Sequence, residues 1–377
     1  MVESNILLIV DDEEEIRENL SDFAEFKGFR VLQAGKGLRA LAILEEEKPD
    51  LIISDLMMPE MGGIQLLQEF QNRGIEIPVV IMTAFGTMEY AIDAMKNGAA
   101  DFLTKPIDLT YMLKVVSKIL ERNAMRQKIK EQQKQLEEDL RHAAIIQRCL
   151  LPDPFENQYL SIHYRYEPLI AIGGDYLTLH QYSPQEMAIA IYDVSGHGVS
   201  AALTASLVHN QLQQRLAERR PPSNVINILN RFITDHIDKT SMFITMAIVG
   251  IDLQEGNMTI TNAGHPEVYL LRKETGRLEA IPSHTPPVGM TPKILGDQNE
   301  TTLHIASGDR LILYTDGFLE ARNQAGSMVG KDGFQEMILR HSSCKPTDFL
   351  QRMYDDLAHF HAGEPEDDMT LLVADIQ

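Results

Sequence analysis

Residues 51–63 read LIISDLMMPEMGG, in which the apolar run Leu51 to Ser54 is followed by Asp55 and then by a proline and two glycines. Similar short apolar runs, Ile6 to Val10 and Val79 to Met82, alternate with longer segments of helical period between Asn5 and about Glu121. This alternation is typical of repeated βα units on a parallel sheet. The sequence therefore predicts a doubly wound α/β domain over residues 1–121.

Charged and polar side chains follow these apolar runs. Asp11 and Asp12 follow the run Ile6 to Val10, and Asp55 follows Leu51 to Ser54. Thr83 follows Val79 to Met82, and Lys105 follows the run Asp101 to Thr104. Residues just past the carboxyl ends of parallel strands converge on one crevice, where three carboxylates repel one another unless a hard cation such as magnesium binds. Asp is also a common turn residue and a lysine is often a solvent-facing charge. The five residues together favour a site that binds magnesium and lets one carboxylate attack phosphorus.

With these residues, the stretch from residue 5 to residue 121 resembles the CheY-like receiver domain. The matching segments are Leu8 to Glu13, Ser54 to Gly63, Met82 to Ala84 and Thr104 to Pro106. The resemblance implies that a sensor histidine kinase is a partner and that Asp55 is the phosphoacceptor. It implies a magnesium site of Asp11, Asp12, Asp55 and the Met57 carbonyl, with Thr83 and Lys105 contacting the phosphoryl group. Phe102 matches the aromatic switch position of the family and is equally well interpreted as a core residue.

Residues 122–150 predict a helical linker. From Val115 to Leu150, residues spaced alternately by four and three positions form a heptad seam, which Arg122, Arg126 and Gln133 interrupt. This pattern predicts a parallel two-stranded coiled coil in a homodimer, with a single exposed helix between two domains as the alternative. Pro152 and Pro154 end the helix, so a second domain is expected over residues 151–377.

Strand-like runs dominate residues 151–377 and helical segments interrupt them, which predicts an α+β domain, a layered β-sandwich flanked by helices. Beside short strands and glycines stand four aspartates: Asp175, Asp193, Asp316 and Asp367. Oxygen ligands of this kind suit magnesium or manganese, and two such ions can clamp a phosphate ester for hydrolysis. Each Asp-Gly segment taken alone is also consistent with an ordinary turn.

Residues 143–377 resemble the metal-dependent PPM family of serine/threonine phosphatases, and within it the SpoIIE and RsbU type. The matching segments are Ala144 to Pro152, Asn262 to Pro266 and the four aspartate motifs. The resemblance implies a phosphatase with two manganese or magnesium ions, whose ligands are Asp175, Asp193, Val194 through its carbonyl, Asp316 and Asp367. His197 and His265 are interpreted as loop-shaping residues. Thr178 departs from the family, which often has an acidic residue at that position.

The composition limits the partners. A formal net charge of -21 opposes binding to nucleic acid or to an anionic membrane surface. Cys149 and Cys344 are the two cysteines and lack metal-ligand spacing, which fits a reducing compartment. The sequence shows no secretory leader pattern and no run of about 18 or more apolar residues, so a cytoplasmic location is expected.

The two resemblances together predict a two-component response regulator in which phosphorylation of Asp55 controls the phosphatase, activating or inhibiting it. The leading substrate class is a phosphoserine protein, an anti-sigma-factor antagonist. The alternative is a phosphatase-like adaptor that regulates a sigma-factor pathway by protein binding without catalysis. Retention of Asp175, Asp193, Asp316 and Asp367 favours the enzyme.

Overall fold

The computed structural model describes residues 5–84, 88–236, 242–283, 285–292, 294, 300–361 and 366–377, without the side chains of residues 88–91. The chain forms two compact units that divide after residue 136. Each unit is described by itself below.

The N-terminal unit is a five-stranded parallel sheet in the order β2-β1-β3-β4-β5. Its strands are β1 Ile6–Val10, β2 Arg30–Ala34, β3 Leu51–Asp55, β4 Val79–Ala84 and β5 Asp101–Lys105. Its helices are α1 Glu14–Phe26, α2 Gly37–Glu46, α3 Gly63–Asn72, α4 Met88–Lys96 and α5 Leu109–Leu150, the last of which continues beyond the unit. The predicted parallel α/β domain is confirmed.

Helices cover both faces of this sheet, which explains why its central strands are continuous apolar runs. On one face Leu8 and Ile52 pack in a buried cluster with Leu66 and Phe70 of α3. On the other face Leu7, Ile9 and Ile53 pack with α1 and with the start of α5. The carboxyl ends of β1, β3, β4 and β5 therefore meet at one edge.

Helix α5 begins in the N-terminal unit and contains the predicted linker, residues 122–150. Of the predicted seam, Val115 and Ile119 are buried in the N-terminal core and Gln147 is buried in the C-terminal unit. Between them Ile129 and Leu136 are 46% and 59% exposed. A coiled coil would have to form through this exposed middle part, and it stays a prediction. Among the described residues no helix, α5 included, is long and apolar enough to cross a membrane.

The C-terminal unit contains two antiparallel sheets, in the orders β14-β11-β10-β9-β8 and β13-β12-β15-β16-β7-β6. Their strands are β6 Phe155–Glu156, β7 Leu160–Glu167, β8 Tyr176–Ser183, β9 Glu186–Val194, β10 Ile244–Asp252, β11 Asn257–Ala263, β12 Val268–Leu271, β13 Leu278–Ile281, β14 Thr301–His304, β15 Arg310–Tyr314 and β16 Met369–Ile376. The helices described in this unit are α6 Val199–Ala217, α7 Pro222–His236, α8 Gly317–Glu320, α9 Gly330–Arg340 and α10 Pro346–Phe360.

The side chains of each strand alternate between two environments, because successive residues of a strand point to opposite faces of its sheet. Ile189 and Ile191 of β9 belong to a buried cluster that includes Leu313 and Leu372 of the other sheet. Their neighbours, such as Tyr192, pack instead with α6 and α7. Helices α8 to α10 cover the outer face of the second sheet. This layering brings strand ends from both sheets to the same end of the unit.

Candidate functional site

The edge of the N-terminal sheet brings together the three carboxylates that the sequence predicts there. Asp55 ends β3, and Asp11 and Asp12 follow β1 directly. Asp11 is fully buried, Asp55 is nearly so, and Asp12 is exposed. One ligand oxygen from each lies within 4.8 Å of the others, a spacing that one metal ion can bridge. With Lys105 these residues are called the Asp55 site below.

Lys105 supplies this site with a positive charge from the same chain. Its Nζ lies 2.9 Å from Asp11 Oδ2 and 3.0 Å from Asp55 Oδ1. Burial raises the pKa of the Asp55 carboxyl, and the hydrogen bond and charge of Lys105 partly offset that rise. Burial alone would lower the pKa of Lys105, but its hydrogen bonds to Asp11 and Asp55 outweigh burial and raise it. The lysine therefore stays protonated beside the carboxylate that is predicted to accept a phosphoryl group.

The remaining predicted residues lie around this edge. Thr83 is buried in β4, and Phe102 is half-buried in β5. Met57 lies two residues past Asp55, and its side chain is 72% exposed. A Cβ atom at Gly63 would lie 2.6 Å from the backbone oxygen of Asp55, which explains the glycine at the start of α3. The roles of Met57, Thr83 and Phe102 stay predictions.

The four aspartates of the C-terminal unit come from two sheets. Asp175 and Asp193 lie at β8 and β9 of the first sheet, whereas Asp316 and Asp367 lie at β15 and β16 of the second. The sequence places a strand end beside these aspartates but does not assign the strands to sheets. The structure gathers strand ends of two stacked sheets, close enough for the charges of Asp316 and Asp367 to raise the pKa of Asp193 beyond the effect of burial. These four residues are called the four-aspartate site below.

Burial and mutual repulsion disfavour ionisation in the four-aspartate site. Burial, with repulsion from Asp316 and Asp367, raises the pKa of Asp193 to about 8. Burial and the charge of Asp367 raise the pKa of Asp316 to about 6. Burial and the charge of Asp193 also hold the pKa of Asp175 well above its usual range. Because no lysine or arginine in the described parts of the chain pairs with these carboxylates, their negative charge lacks a fixed counter-charge.

The donor set of this site fits divalent metal ions. Buried carboxylates without a cationic partner are ligands that magnesium and manganese prefer. A Cβ atom at Gly174 would lie 2.9 Å from the Val194 carbonyl oxygen and 3.3 Å from Asp193 Oδ1. The glycine therefore leaves open the space into which these two oxygens project. The four-aspartate site is also less tightly clustered than the three carboxylates of the Asp55 site.

Two buried threonines hold Asp175, and the sequence argument did not include them. The hydroxyls of Thr315 and Thr370 donate to Asp175 Oδ2 at 2.6 and 2.7 Å. Thr315 precedes Asp316, and Thr370 is the second residue of β16. These hydrogen bonds connect the first sheet to the second. The available signal was that each threonine lies within the motif of a predicted ligand.

Asp368 is a third residue that the sequence alone did not identify. Its carboxylate is buried and accepts hydrogen bonds from the backbone amides of Leu169 at 2.7 Å and Gly174 at 2.6 Å. A Cβ atom at Gly173 would lie 2.5 Å from Asp368 Oδ2. The loop before Asp175 is therefore folded around this carboxylate. In the sequence, Asp367 and Asp368 are adjacent acids with nothing to distinguish their roles.

Gln147, near the end of α5, is bonded to the same loop. Its Nε2 donates to the Gly173 carbonyl at 2.7 Å, and its Oε1 accepts from the Gly173 amide at 3.2 Å. Its own carbonyl accepts from the Tyr176 hydroxyl at 2.9 Å. The end of the linker helix and the segment that carries Asp175 are thus joined by three hydrogen bonds.

Of the two predicted loop residues, His197 lies near the acids, where its charge partly offsets the rise that burial causes in the pKa of Asp367. His265 and the departing Thr178 lie in the core. His265 is fully buried, its Nδ1 lies 2.9 Å from the Thr245 hydroxyl, and burial lowers its pKa to about 3. His197 is exposed. Thr178 is buried, and its hydroxyl lies 3.1 Å from Nδ1 of His209. A neutral threonine at this position is therefore accommodated within the core.

Comparison with known proteins gives matches for both units. The family model described as Stage II sporulation protein E (SpoIIE) matches residues 183–377, more than half of the chain, and the response regulator receiver domain model matches residues 7–117. The phosphoserine phosphatase RsbU of Bacillus subtilis (strain 168) is 26% identical over 242 residues, covering 64% of this chain and 71% of RsbU.

Two further relatives match part of the chain. The regulatory protein AtoC of Escherichia coli (strain K12) is 36% identical over 130 residues, 34% of this chain, and the chain spans only 28% of the length of AtoC. The SiaA-PP2C domain of Pseudomonas aeruginosa superposes with a TM-score of 0.57 at 20% identity, over 65% of this chain and 98% of that domain. The similarity to the SiaA-PP2C domain, at 20% identity, is evidence for the fold alone.

Proposed function

This chain belongs to the stage II sporulation protein E family and carries a receiver domain, and on that premise we propose that it is a response regulator whose phosphorylation at Asp55 controls a metal-dependent protein serine/threonine phosphatase. The observation that carries the proposal is the four-aspartate site. Asp175 is buried, the other three carboxylates are partly buried, and all four have raised pKa values, while among the described residues no lysine or arginine neutralises them. Such a site requires cations from solution.

In the phosphatase domain, Asp193, Asp316, Asp367 and the Val194 carbonyl would hold two manganese or magnesium ions, with Asp175 completing the set. When bound, the ions would polarise a phosphate ester and lower the pKa of a bound water molecule. Thr315 and Thr370 orient Asp175 by donating to one of its oxygens. Asp368 fixes the backbone of the loop before Asp175.

In the receiver domain, Asp55 would accept a phosphoryl group from the phosphohistidine of a sensor histidine kinase. A bond forms between an Asp55 oxygen and phosphorus, and the bond between phosphorus and the histidine nitrogen breaks. Lys105 already lies within hydrogen-bond distance of Asp55 and would neutralise the added charge. Asp11, Asp12 and the Met57 carbonyl would hold a magnesium ion there, and Thr83 would contact the phosphoryl oxygens.

Coupling between the two domains would pass through α5. Phosphorylation biases the receiver surface between two states, and a change in pairing of receivers within a homodimer would alter the exposed seam of α5. The hydrogen bonds of Gln147 with Gly173 would transmit that change to the loop before Asp175. Asp175 would then be better or worse positioned to bind the metal ions.

The proposed substrate is a phosphoserine protein, and an anti-sigma-factor antagonist is the leading class. The similarity to RsbU, a phosphoserine phosphatase, supports the first part of this proposal. A kinase-dependent receiver and two free cysteines fit a cytoplasmic location. An adaptor that binds without catalysis would have no need of the uncompensated charge in the four-aspartate site.

The test is manganese-dependent phosphate release from a phosphoserine protein. We expect Asp193→Ala and Asp316→Ala each to lower the rate by at least about 100-fold, because each removes a metal ligand. Asp332→Ala, at an exposed position of α9, is the matched control and should retain the wild-type rate. No manganese-dependent release by the wild-type chain, with or without receiver phosphorylation, would favour the adaptor.

A further inference from the structure

A cavity of about 290 Å³ lies directly beside the four-aspartate site. Its walls come from β7, from α8, from α10 and from the residues before β16. Asp367 itself lines the cavity, and so does Gly317, which follows Asp316. A substrate whose phosphate is held by ions at these aspartates would therefore place a neighbouring side chain at the cavity mouth.

The floor of this cavity is apolar. It is formed by the buried residues Ala321, Leu357 and Met369. Leu357 and Met369 also belong to the buried cluster under the second sheet, so the floor is part of the domain core and does not depend on a ligand. Apolar area of this kind favours a side chain with a hydrocarbon stem.

The rim of the cavity is acidic. Glu320, Asp355 and Glu366 are exposed carboxylates that line it together with Asp367. Glu366 has Arg322 at 3.5 Å, whereas Glu320 has no ion-pair partner among the residues that the structure describes. The charge of Glu320 also raises the pKa of Asp316 and of Asp367, after burial and other causes. The region beside the site is therefore strongly negative.

The positive groups of the wall do not cancel this charge. Arg165 is bonded to Glu167, and its guanidinium carbon lies 4.2 Å from the centre of the Tyr354 ring. Its NH1 also donates to Gln351 at 3.1 Å. The arginine is thus fixed within the wall. His361 is the other basic residue that lines the cavity.

We propose that this cavity binds a lysine or arginine side chain of the phosphoprotein substrate, close in sequence to the phosphoserine. The hydrocarbon stem would lie on Leu357 and Met369, and the charged end would reach Glu320. An acidic side chain at the same position would be rejected by like charge. This inference rests on the proposed phosphatase function and names the residue class that the site selects.

The experiment uses the full-length chain, manganese, and phosphoserine peptides with an alanine host sequence. Lysine, arginine, leucine or glutamate is placed singly at each of the three positions on either side of the phosphoserine, and kcat/KM is measured by phosphate release. At one position we expect lysine and arginine to exceed alanine by about 10-fold, which is about 1.4 kcal/mol, and glutamate to fall below alanine. The gain should appear mainly in KM.

Variants at Glu320 test the charge directly. In Glu320→Gln, the ratio of kcat/KM for the lysine peptide to that for the alanine peptide should fall to within about 2-fold of unity, and Glu320→Lys should reverse the preference toward glutamate. Each ratio is taken on one enzyme, so an altered metal affinity cancels. Glu274→Gln, exposed in the turn between β12 and β13, is the matched control and should keep the wild-type ratio.

Three outcomes would overturn the inference. Equal hydrolysis of all peptides would show that the cavity selects nothing. A preference for leucine over lysine that survives Glu320→Lys would assign it an apolar occupant. No hydrolysis of any peptide by the wild-type chain would contradict the proposed function itself, and this inference would fail with it.

Discussion

The Asp55 site and the four-aspartate site both gather carboxylates at strand ends, but they compensate that charge differently. In the Asp55 site, Lys105 lies within 3.0 Å of both Asp11 and Asp55. In the four-aspartate site, no described lysine or arginine pairs with the carboxylates, and the pKa of Asp193 rises to about 8. The Asp55 site thus has part of its counter-charge within the chain, whereas the four-aspartate site has none from the described lysines and arginines.

The two sites also differ in how they are held in place. The Asp55 site lies at one edge of one parallel sheet, so strand order alone brings its residues together. The four-aspartate site draws on two sheets and needs buried polar contacts between them. Those contacts involve Asp368, Thr315 and Thr370. Each difference leads to a test.

The largest effect is expected at Asp368. Asp368→Asn replaces one acceptor oxygen by an NH₂ group that faces a backbone N–H, leaving the amide of Leu169 or Gly174 unsatisfied. An unsatisfied buried amide costs on the order of 2 to 3 kcal/mol. If that cost falls on the loop that carries Asp175, manganese-dependent phosphate release should drop by about 100-fold.

The receiver offers a matched control for this change. Asp50 accepts a hydrogen bond from the Ile6 amide at 2.7 Å, but it is exposed, so water can replace the lost acceptor in Asp50→Asn. Thermal unfolding and phosphate release should change little in that variant. Equal losses in the two variants would contradict a special role of burial at Asp368.

The second effect concerns stability without metal. Asp193→Asn removes a buried charge that Asp316 and Asp367 repel, and it should stabilise the metal-free phosphatase domain by on the order of 2 kcal/mol near pH 8. Asp55→Asn should have a smaller effect on the receiver, because Lys105 remains paired with Asp11. Hydrogen exchange in the presence of EDTA measures each domain separately. The comparison fails if Asp55→Asn stabilises its domain as much as Asp193→Asn does.

The third effect is a pH dependence that belongs to the phosphatase domain. Burial lowers the pKa of His265 from 6.5 to about 3, so between these values the unfolded chain binds a proton that the folded chain does not. The free energy of unfolding therefore falls as pH is lowered below about 6.5, by up to about 1.4 kcal/mol per pH unit from this residue. The receiver, residues 1–121, contains no histidine.

His265→Gln separates this contribution from those of the carboxylates. The variant should be less stable than wild type at neutral pH, because the buried contact with Thr245 is disturbed. Its free energy of unfolding, measured by denaturant titration between pH 6.5 and 4.5, should nevertheless depend less steeply on pH. If the free energy of unfolding depended on pH with the same slope in wild type and variant, groups other than His265 would be responsible for the loss of stability in acid.

The sequence predicted the Asp55 site better than the four-aspartate site for a physical reason. Strands β1 and β3 are continuous apolar runs because helices cover both faces of their sheet. In a parallel sheet the carboxyl ends of the strands lie at the same edge, so the ends of these runs also predict that Asp11 and Asp55 lie close together. For Asp193 and Asp316, strand ends were visible in the sequence, but the assignment of strands to sheets was not. That assignment depends on pairings between residues far apart in the chain.

Gln147 shows a second limit of sequence patterns. Its spacing placed it among the apolar positions of a heptad seam, together with Leu140 and Leu150. The structure instead buries it in the phosphatase domain, with its side chain bonded to Gly173. A polar residue in an apolar pattern had two explanations, a tolerated interruption or a specific buried partner. Only the position of the loop before Asp175 decides between them.

The smallest effect is expected from Gln147→Met, which keeps the side-chain length and removes the two hydrogen bonds with Gly173. The buried N–H and C=O of Gly173 then lack these partners, at on the order of 1 to 3 kcal/mol each, as for the amides at Asp368. We expect this cost to lower the free energy of unfolding, while the folded domain retains manganese-dependent activity within about 10-fold. Treatment with the phosphodonor phosphoramidate should then change the rate of phosphate release by less than about 2-fold, because the Gln147 side chain of α5 is no longer hydrogen-bonded to the loop before Asp175. Gln132→Met, at an exposed position of the same helix, should keep the wild-type response, and Asp55→Asn gives the rate without phosphorylation. A full phosphorylation response in Gln147→Met would place the coupling in other contacts of α5, whereas a lost response in both glutamine variants would place it in the helix as a whole.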